Sequence, residues 1–332
     1  MSASSFPAST LHKAIHIAIA VIFVFSISFL HHVNGLDAQT VIDSPLLTQK
    51  IGTNRTIKVD INGNGDFKSV QAANSQWVII HIRKGVYRPV KVHVPKSKPY
   101  IFLRGNGKGR SAIVWAQSSS DNVESATFKV EAPHFIAFGI SFKNEAPTGV
   151  AYTSQNQSVA AFVAANKVAF YHCAFYSTHS TLFDYKGRHY YDNCYIQGSI
   201  DFIFGRGRSV FHSCEIFVIA DKRVMIHGSV TAQNREVKAR IVGCVCQRKG
   251  SWCWWCVFGE SDRCLFQSNF CKDIPLKDIV PHGWTNWSYD GNTENLYHAE
   301  HSSWSKQLSE EEVTPFLSID YIDGEKWLTV RL

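Results

Sequence analysis

The 332-residue sequence lacks a hydrophobic run long enough to cross a membrane. Its longest apolar stretch, Ala14–Leu30, contains His16, Ser26 and Ser28 and is shorter than the about 20 residues that a spanning helix needs. A weakly basic start precedes the stretch, and small residues follow it. The pattern therefore predicts a secretory signal peptide over residues 1–35, and no membrane association once it is cleaved.

The sequence also lacks a dense run of Lys or Arg, which argues against a nucleic-acid-binding arm. Its formal charge of +7 suits an acidic polymer or an anionic surface as partner, but it is equally an ordinary solubility charge. Three N-glycosylation sequons, at Asn54, Asn156 and Asn286, fit a secreted glycoprotein, although such short motifs often arise by chance.

The middle of the chain lacks both a long amphipathic helix and the leucine ladder of leucine-rich repeats. Cys173, Cys194 and Cys214 recur at nearly equal intervals, each in a short aromatic or β-branched run. Self-similarity at this step is typical of a solenoid. We therefore predict one all-β domain over residues 36–332, a single-stranded parallel β-helix with coils of about 20–22 residues, a short C-terminal helical segment and internal cysteines.

Stacked coils also align polar residues, since equivalent positions on neighbouring coils lie about 4.8 Å apart. Gln157, His179 and Asp201 are equally spaced at about one coil each, and Ser180 stands beside His179 in the same series. The spacing predicts a polar column on one face of the solenoid. A polar ladder that only stabilises the stack is the alternative interpretation.

The run GSIDFIFG, Gly198–Gly205, with QSVAAF from Gln157 and TF at Thr127, resembles the plant pectin methylesterase (pectinesterase) family. The similarity continues in IKVDINGNGDFKSVQAA, HIRKGVY, VPHGWTNWSYDGNTENLYHAE and FLSIDYIDGEKWL, and covers nearly all of the mature chain. It implies a right-handed parallel β-helix in the plant cell wall that hydrolyses methyl esters of galacturonan to pectate and methanol. No metal or organic cofactor is implied.

The resemblance also implies partners and residue roles. Methyl-esterified pectin (homogalacturonan) is the implied substrate of a monomeric enzyme, and a proteinaceous pectinesterase inhibitor is a further implied partner. Asp201 is the implied nucleophile, which must stay ionised. Gln157 is the implied donor to the oxyanion, and Thr127, which precedes it at the spacing of the family pattern, is an implied substrate contact.

The chain departs from the family pattern at His179, Ser180 and Thr181, where the family most often has Gln-Asp-Thr. The usual general acid is therefore missing, and such a group typically contributes about 10² to 10⁴ in rate. We predict that His179 acts as surrogate acid and oxyanion donor, because histidine can give a proton at mildly acidic pH. The alternative is that His179 only fills space among aromatic neighbours such as Tyr176 and Phe183.

A second departure is the segment 244–278, whose first part, Cys244–Cys264, holds more than half of the nine cysteines and a third of the nine tryptophans. The family carries an LGRPW-type run there, whose Arg pairs with the nucleophile. When permitted codons for Trp254–Asp273 are read one base forward, they spell GGVYLGRVT followed by GAYSRVIFAKT. We infer that the segment is translated out of frame, with Glu260 in the place of the Arg, rather than a zinc site.

Three functions are therefore open at this point. The first is an active pectin methylesterase, and the second is a catalytically impaired pectin-binding β-helix or defective gene product with little esterase activity. A pectin lyase or polygalacturonase is the third, and it is disfavoured because a lyase would need calcium-binding carboxylates and a catalytic basic residue. Since no long inhibitor-like segment precedes the catalytic region, autoinhibition in cis is not expected.

Overall fold

A computed structural model describes residues 45–52, 56–59, 76–147, 157–219, 230–232, 244–247, 311 and 318–328. Nearly all of its regular structure is β, in three parallel sheets whose strands are numbered in chain order. Sheet A has eight strands, in this order: β1 (Thr56–Val59), β2 (Val78–Ile82), β5 (Ile101–Arg104), β8 (Phe135–Phe138), β11 (Val168–Tyr171), β14 (Arg188–Asp192), β17 (Arg208–His212) and β20 (Cys244–Gln247).

The other two sheets have six strands each. Sheet B contains, in order, β3 (Gly85–Tyr87), β6 (Ser111–Trp115), β9 (Ser141–Asn144), β12 (Ala174–Tyr176), β15 (Tyr195–Gly198) and β18 (Glu215–Val218). Sheet C contains, in order, β4 (Val92–Val94), β7 (Phe128–Val130), β10 (Ala161–Val163), β13 (Leu182–Asp184), β16 (Ile203–Gly205) and β19 (Thr231–Ala232).

The described helices are short. They are α1 (Pro45–Ile51) and α2 (Asn122–Ser125), and two 3₁₀-helices near the C-terminus, η1 (Ile319–Ile322) and η2 (Gly324–Lys326). The Asp121 side chain caps α2 by accepting a hydrogen bond from the Val123 N–H. The predicted C-terminal helical segment is therefore confirmed as η1 and η2.

From β2 to β19 the chain visits sheets A, B and C in turn, so that each circuit adds one parallel strand to every sheet, as predicted for a parallel β-helix. Val168 pairs with His189, and Arg188 pairs with Arg208, so the step between these coils agrees with the predicted period of about 20–22 residues. Two earlier coils are longer, because Ile101 pairs with Phe135 and Phe135 pairs with Val168.

Aromatic side chains fill the interior of the solenoid in register. The ring centroids of Phe170 and Tyr191 are 5.2 Å apart, and those of Tyr191 and Phe211 are 4.3 Å apart, all stacked nearly parallel. Phe142 and Phe175 stack in the same way along sheet B at 5.6 Å. Since such pairs add about 0.5–1.5 kcal/mol beyond the area they bury, the stack stabilises the alignment of the coils.

The three spaced cysteines lie inside the solenoid, at the turn from sheet A to sheet B. Cys173, Cys194 and Cys214 are buried free thiols, and the Tyr195 and Glu215 N–H groups bond to the carbonyls of Cys173 and Cys194 on the coil before. The prediction of internal cysteines is confirmed. Burial raises the pKa of the Cys173 thiol well above its usual range, which keeps this group unreactive.

A buried polar cluster ties sheet C to sheet A. Asp184, at the end of β13, points inward and lies 2.5 Å from His189 Nδ1, while His189 Nε2 donates to the Ala165 carbonyl at 2.7 Å. The hydroxyls of Tyr191 and Ser209 donate to the same carboxylate, at 2.8 and 2.5 Å. Strands β14 and β17 thereby satisfy the hydrogen-bonding needs of this buried acid.

The C-terminal 3₁₀ segment is fixed to sheet A by one carboxylate. Arg188 and Arg208 are register partners on β14 and β17, and Asp323 lies 2.7 Å from a guanidinium nitrogen of each. The two arginines hold the pKa of Asp323 below its usual value, with the hydrogen bond from Arg188 as the largest cause. This contact holds the 3₁₀ segment against strands β14 and β17 of sheet A.

Several sequence predictions fall outside the described residues: the signal peptide over 1–35, the three sequon asparagines, and most of the segment 244–278. The beginning of that segment is described: Cys244–Gln247 forms β20 and pairs in register with β17. Among the described helices, none is long and apolar enough to cross a membrane.

Candidate active site

The sequence-predicted site residues of the polar column all lie where the chain passes from sheet B to sheet C. Gln157 precedes β10, His179 and Ser180 precede β13, and Asp201 precedes β16. The same connection of three successive coils therefore carries them. Since each coil advances by about 4.8 Å, Gln157 and Asp201 lie about 10 Å apart along the solenoid.

Asp201 is the partly exposed member of a turn whose other side chains are buried. Its backbone is left-handed, with φ of 44°, a conformation that Asp tolerates better than most residues. Ile200 and Phe202 on either side are 2 % and 0 % exposed. These anchors hold the carboxylate at the surface of the solenoid.

The two glycines of GSIDFIFG are needed for close packing on either side of Asp201. A Cβ on Gly198 would lie 2.3 Å from Cβ and Cγ of Phe202, so the ring folds directly over the glycine. Gly205 has φ of 129°, and a Cβ there would lie 2.1 Å from the Asp184 carbonyl oxygen. The motif therefore specifies the path of this turn as well as its acid.

The register changes the predicted neighbour of Asp201. His179 pairs with Ile200, and the Ser180 N–H bonds to the Ile200 carbonyl, so Ser180 is level with Asp201 and has the same left-handed backbone, with φ of 52°. The expectation that His179 lies level with Asp201 on the preceding coil is thus wrong by one position. This coil is one residue shorter than the sequence separation between His179 and Asp201. His179 and Ser180 are both buried, at 4 % and 6 % exposed.

The backbone of Gln157 is fixed by a hydrogen bond, whereas its side-chain oxygen has no partner among the described groups. Its carbonyl accepts the Ser119 N–H at 3.1 Å, and its side-chain Oε1 is buried with no hydrogen-bond partner among the described groups. The following residue, Ser158, lies 2.7 Å from Ser177 of the next coil, hydroxyl to hydroxyl. This side-chain oxygen therefore keeps its capacity to accept a hydrogen bond.

Thr127 immediately precedes β7, in a different environment from the one expected. It is fully buried, and its hydroxyl donates to the Lys143 carbonyl at 3.2 Å. Donation from this hydroxyl to a substrate would require that bond to break. Thr181, in the equivalent place two coils later, donates in the same way to the Gln197 carbonyl at 2.8 Å.

An aromatic ladder beside Asp201 was not predicted. Phe162, Phe183 and Phe204 occupy register positions on β10, β13 and β16 and point away from the core. Phe183 and Phe204 stack with centroids 4.4 Å apart, and Tyr185 stacks on Phe162 at 5.6 Å. The signal was present in the sequence, since the three phenylalanines are equally spaced at one coil each.

Comparison with known proteins identifies the family. The family model for pectinesterase matches residues 55–251, more than half of the chain, and its match ends within the cysteine-rich run. The Arabidopsis thaliana protein "Probable pectinesterase 67" is 56 % identical over 320 residues, which cover 89 % of this chain and 91 % of that protein. The chain belongs to the pectinesterase family.

Solved pectin methylesterase structures agree with this assignment. The pectin methylesterase from carrot aligns with a TM-score of 0.66 at 26 % identity, covering 84 % of this chain and 97 % of that chain. A pectin methylesterase in complex with a hexasaccharide shares the fold, with a TM-score of 0.59 at 17 % identity, covering 79 % of this chain and 92 % of that chain. The pectinesterase is thus a right-handed parallel β-helix and a carboxylic ester hydrolase, and the comparisons give no support to an inactive pectin-binding protein.

The described part of this pectinesterase contains no cluster of three or more His, Cys, Asp or Glu side chains that could hold a metal ion. The position of Glu260, where the resemblance expects an arginine, lies outside the described residues. The chemistry that can be argued from the described residues therefore depends on Asp201 and the groups of the neighbouring coils.

Proposed function

We propose that this pectinesterase hydrolyses the methyl esters of galacturonan, releasing methanol and leaving pectate, with Asp201 as nucleophile. The observation that carries the proposal is the turn of Asp201, in which a partly exposed carboxylate is flanked by two buried side chains and two close-packed glycines. A rigid mounting of this kind keeps a reactive group in a fixed direction.

In the proposed reaction, a carboxylate oxygen of Asp201 attacks the ester carbonyl carbon and forms a new C–O bond. The π electron pair moves to the carbonyl oxygen, and the Gln157 amide donates a hydrogen bond to the resulting oxyanion. The tetrahedral species then expels methoxide, which takes a proton and leaves as methanol. Water attacks the acyl intermediate and returns both carboxylates.

The spacing of the coils suggests where the ester lies. Gln157 and Asp201 are separated by two coil steps, with the coil of Ser180 between them. An ester group bound over this middle coil would have the nucleophile on one side and the oxyanion donor on the other. Each side chain then spans about one coil step of 4.8 Å.

We further propose that His179 gives the proton to the leaving methoxide, since Ser180, and not a carboxylic acid, stands level with Asp201 on the preceding coil. The backbone of His179 is one position away from that level, and the Ser180 hydroxyl beside it is too weak an acid for this step. A His179→Gln variant should lose about 10-fold or more in kcat, because a positioned proton donor is removed. The alkaline limb of the wild-type pH profile, where the imidazolium loses its proton, should disappear as well. An unchanged kcat would remove His179 from the mechanism.

The aromatic ladder suits the binding of sugar rings. Phe183 and Phe204 are partly exposed and lie on the coils that carry Ser180 and Asp201. A methyl-esterified uronate is uncharged, so its packing against these rings is favourable. Lys186 lies 5.3 Å from the Tyr185 centroid and adds a positive charge at the edge of the ladder. This edge suits the carboxylates that the reaction produces.

The cellular location and the partners of the enzyme are proposed from its family. Plant pectinesterases act in the cell wall, and we propose the same location here, reached through cleavage of the signal peptide over residues 1–35. Methyl-esterified homogalacturonan is the proposed partner, a proteinaceous inhibitor is a second, and the enzyme is proposed to act as a monomer. We also keep the proposal that residues 244–278 are out of frame, which sequencing of the transcript tests.

The substrate assignment is tested by methanol release from the purified chain. Methyl-esterified galacturonan should yield methanol and new carboxylate in equal amounts. The matched substrate is galacturonan acetylated on its hydroxyls and free of methyl esters, from which acetate should not be released above the no-enzyme rate. Acetate release without methanol release would contradict the proposed specificity.

A further inference from the structure

We propose that Asn144 is a positioning residue for this reaction, which fixes the chain segment that carries Gln157 and thereby sets the direction of the Gln157 amide. The inference rests on the proposed function of Gln157 as oxyanion donor. Asn144 ends β9, and Gln157 follows it on the same coil, just before β10. Asn144 is only 3 % exposed. It has no contact with substrate in this scheme and acts through the backbone.

The Asn144 amide joins four separate segments of the chain. Its Nδ2 donates to the carbonyls of Gln117, Ser125 and Val159, at 2.9, 2.8 and 3.1 Å. Its Oδ1 accepts the N–H groups of Gln117 and Ala146, at 3.2 and 3.0 Å. Two amide hydrogens serve three carbonyls, so the hydrogen-bonding capacity of this side chain is fully used.

Two of these bonds lead directly to Gln157. Val159 lies just after Gln157, and besides the bond from Asn144 its N–H donates to Ser125 Oγ at 3.1 Å. On the other side, Ser119 bonds to the Gln157 carbonyl, and Ser119 lies just after Gln117, which Asn144 holds by both backbone groups. One side chain therefore fixes this segment at two carbonyls, directly at Val159 and, through Gln117 and Ser119, at Gln157.

The state of the Gln157 side chain makes these backbone anchors important. Its Oε1 is buried and accepts no hydrogen bond from the described residues, so no bond to that oxygen sets the direction of the amide. The direction then depends on where the backbone places Cα and Cβ. A displacement of about 1 Å at a reacting group can lower the rate by about 10².

A double-mutant cycle separates positioning from general stability. We expect Asn144→Ala to lower kcat by about 10²-fold in the wild-type background, with KM changed by less than about 3-fold. In a Gln157→Ala background, Asn144→Ala should lower kcat by less than about 3-fold further, because the group that it positions is already absent. Both rates are measured as methanol release per folded enzyme, with folding checked by thermal unfolding.

Two further variants complete the test. Asn166→Ala is the matched control, because Asn166 is an exposed asparagine whose Oδ1 binds Arg188 away from the site, and its kcat and KM should match the wild type. If Asn144→Ala does not fold, Ser125→Ala removes the Ser125 Oγ bond to the Val159 N–H. It should give a smaller loss of kcat in the wild-type background and none beside Gln157→Ala.

The outcomes distinguish the inference from the proposed function. If Gln157→Ala lowers kcat and Asn144→Ala lowers it by the same factor in both backgrounds, Asn144 does not act through Gln157 and the inference is overturned alone. If Gln157→Ala keeps the wild-type kcat, the oxyanion role in the proposed function is overturned, and the inference with it. A loss on Asn144→Ala that is confined to the background retaining Gln157 supports both.

Discussion

The packing of Phe202 over Gly198 predicts that one added methyl group will damage both stability and catalysis. Carbon atoms in contact normally lie about 3.5–4.0 Å apart, whereas a Cβ on Gly198 would lie 2.3 Å from two carbons of Phe202. The ring, which is fully buried, would have to move by at least about 1 Å. Asp201 is the adjacent residue, so it would move with the ring.

The magnitude of the Gly198→Ala effect follows from this geometry. Overpacking a core costs about 1–3 kcal/mol, and each kcal/mol lowers Tm by about 2–4 °C for a domain near this size. Displacement of Asp201 by about 1 Å should lower kcat by about 10²-fold. Both changes are expected in the same variant.

Thermal unfolding and methanol release measure the two effects. Gly109→Ala is the matched control, because a Cβ on Gly109 would have nothing within 4 Å and its backbone is not left-handed. The control should stay within about 0.5 kcal/mol of the wild type. If Gly198→Ala has the Tm and kcat of the control, the argument from close packing is refuted.

Two further predictions concern stability. Hydrogen bonds, first from Arg88 and then from Lys143, lower the pKa of Glu145 from 4.5 to about 2. The stabilisation that ionised Glu145 gives the fold is therefore present above pH 4.5 and is lost as the pH falls towards 2. Glu145→Gln should make the urea-unfolding midpoint less dependent on pH across that range, and a variant with the same pH dependence as the wild type would contradict this. Asp184→Asn leaves His189 without its buried acid and should lower the free energy of unfolding by about 3–5 kcal/mol, measured in urea, and a loss below about 1 kcal/mol would contradict the importance of that pair.

The sequence predicts the solenoid because its signal is carried by residues inside coils of nearly equal length. Cys173, Cys194 and Cys214 repeat because the turn between sheets A and B offers the same small buried space on each coil. The two longer coils, from Ile101 to Phe135 and from Phe135 to Val168, carry no such repeat. Their greater length changes the step without changing the parallel pairing of the strands.

The candidate site was predictable only in part. GSIDFIFG marks Asp201 as the candidate nucleophile, and the structure shows that its glycines and buried neighbours fix the path of that turn. The position of His179 relative to Asp201 was wrong by one position, since spacing alone does not locate a left-handed turn. Asn144 gave no signal at all, because its hydrogen bonds go to backbone groups, which have no sequence pattern.

The central claim is that Asp201 is the nucleophile of a pectin methylesterase, and replacing its carboxylate by an amide tests this claim most directly. Asp201→Asn keeps the size of the side chain and should lower methanol release from methyl-esterified galacturonan by more than about 10³-fold, with Tm unchanged. The control Asp121→Asn retains an N-cap on α2 and should behave as the wild type. An Asp201→Asn variant within about 10-fold of the wild-type rate would contradict the account.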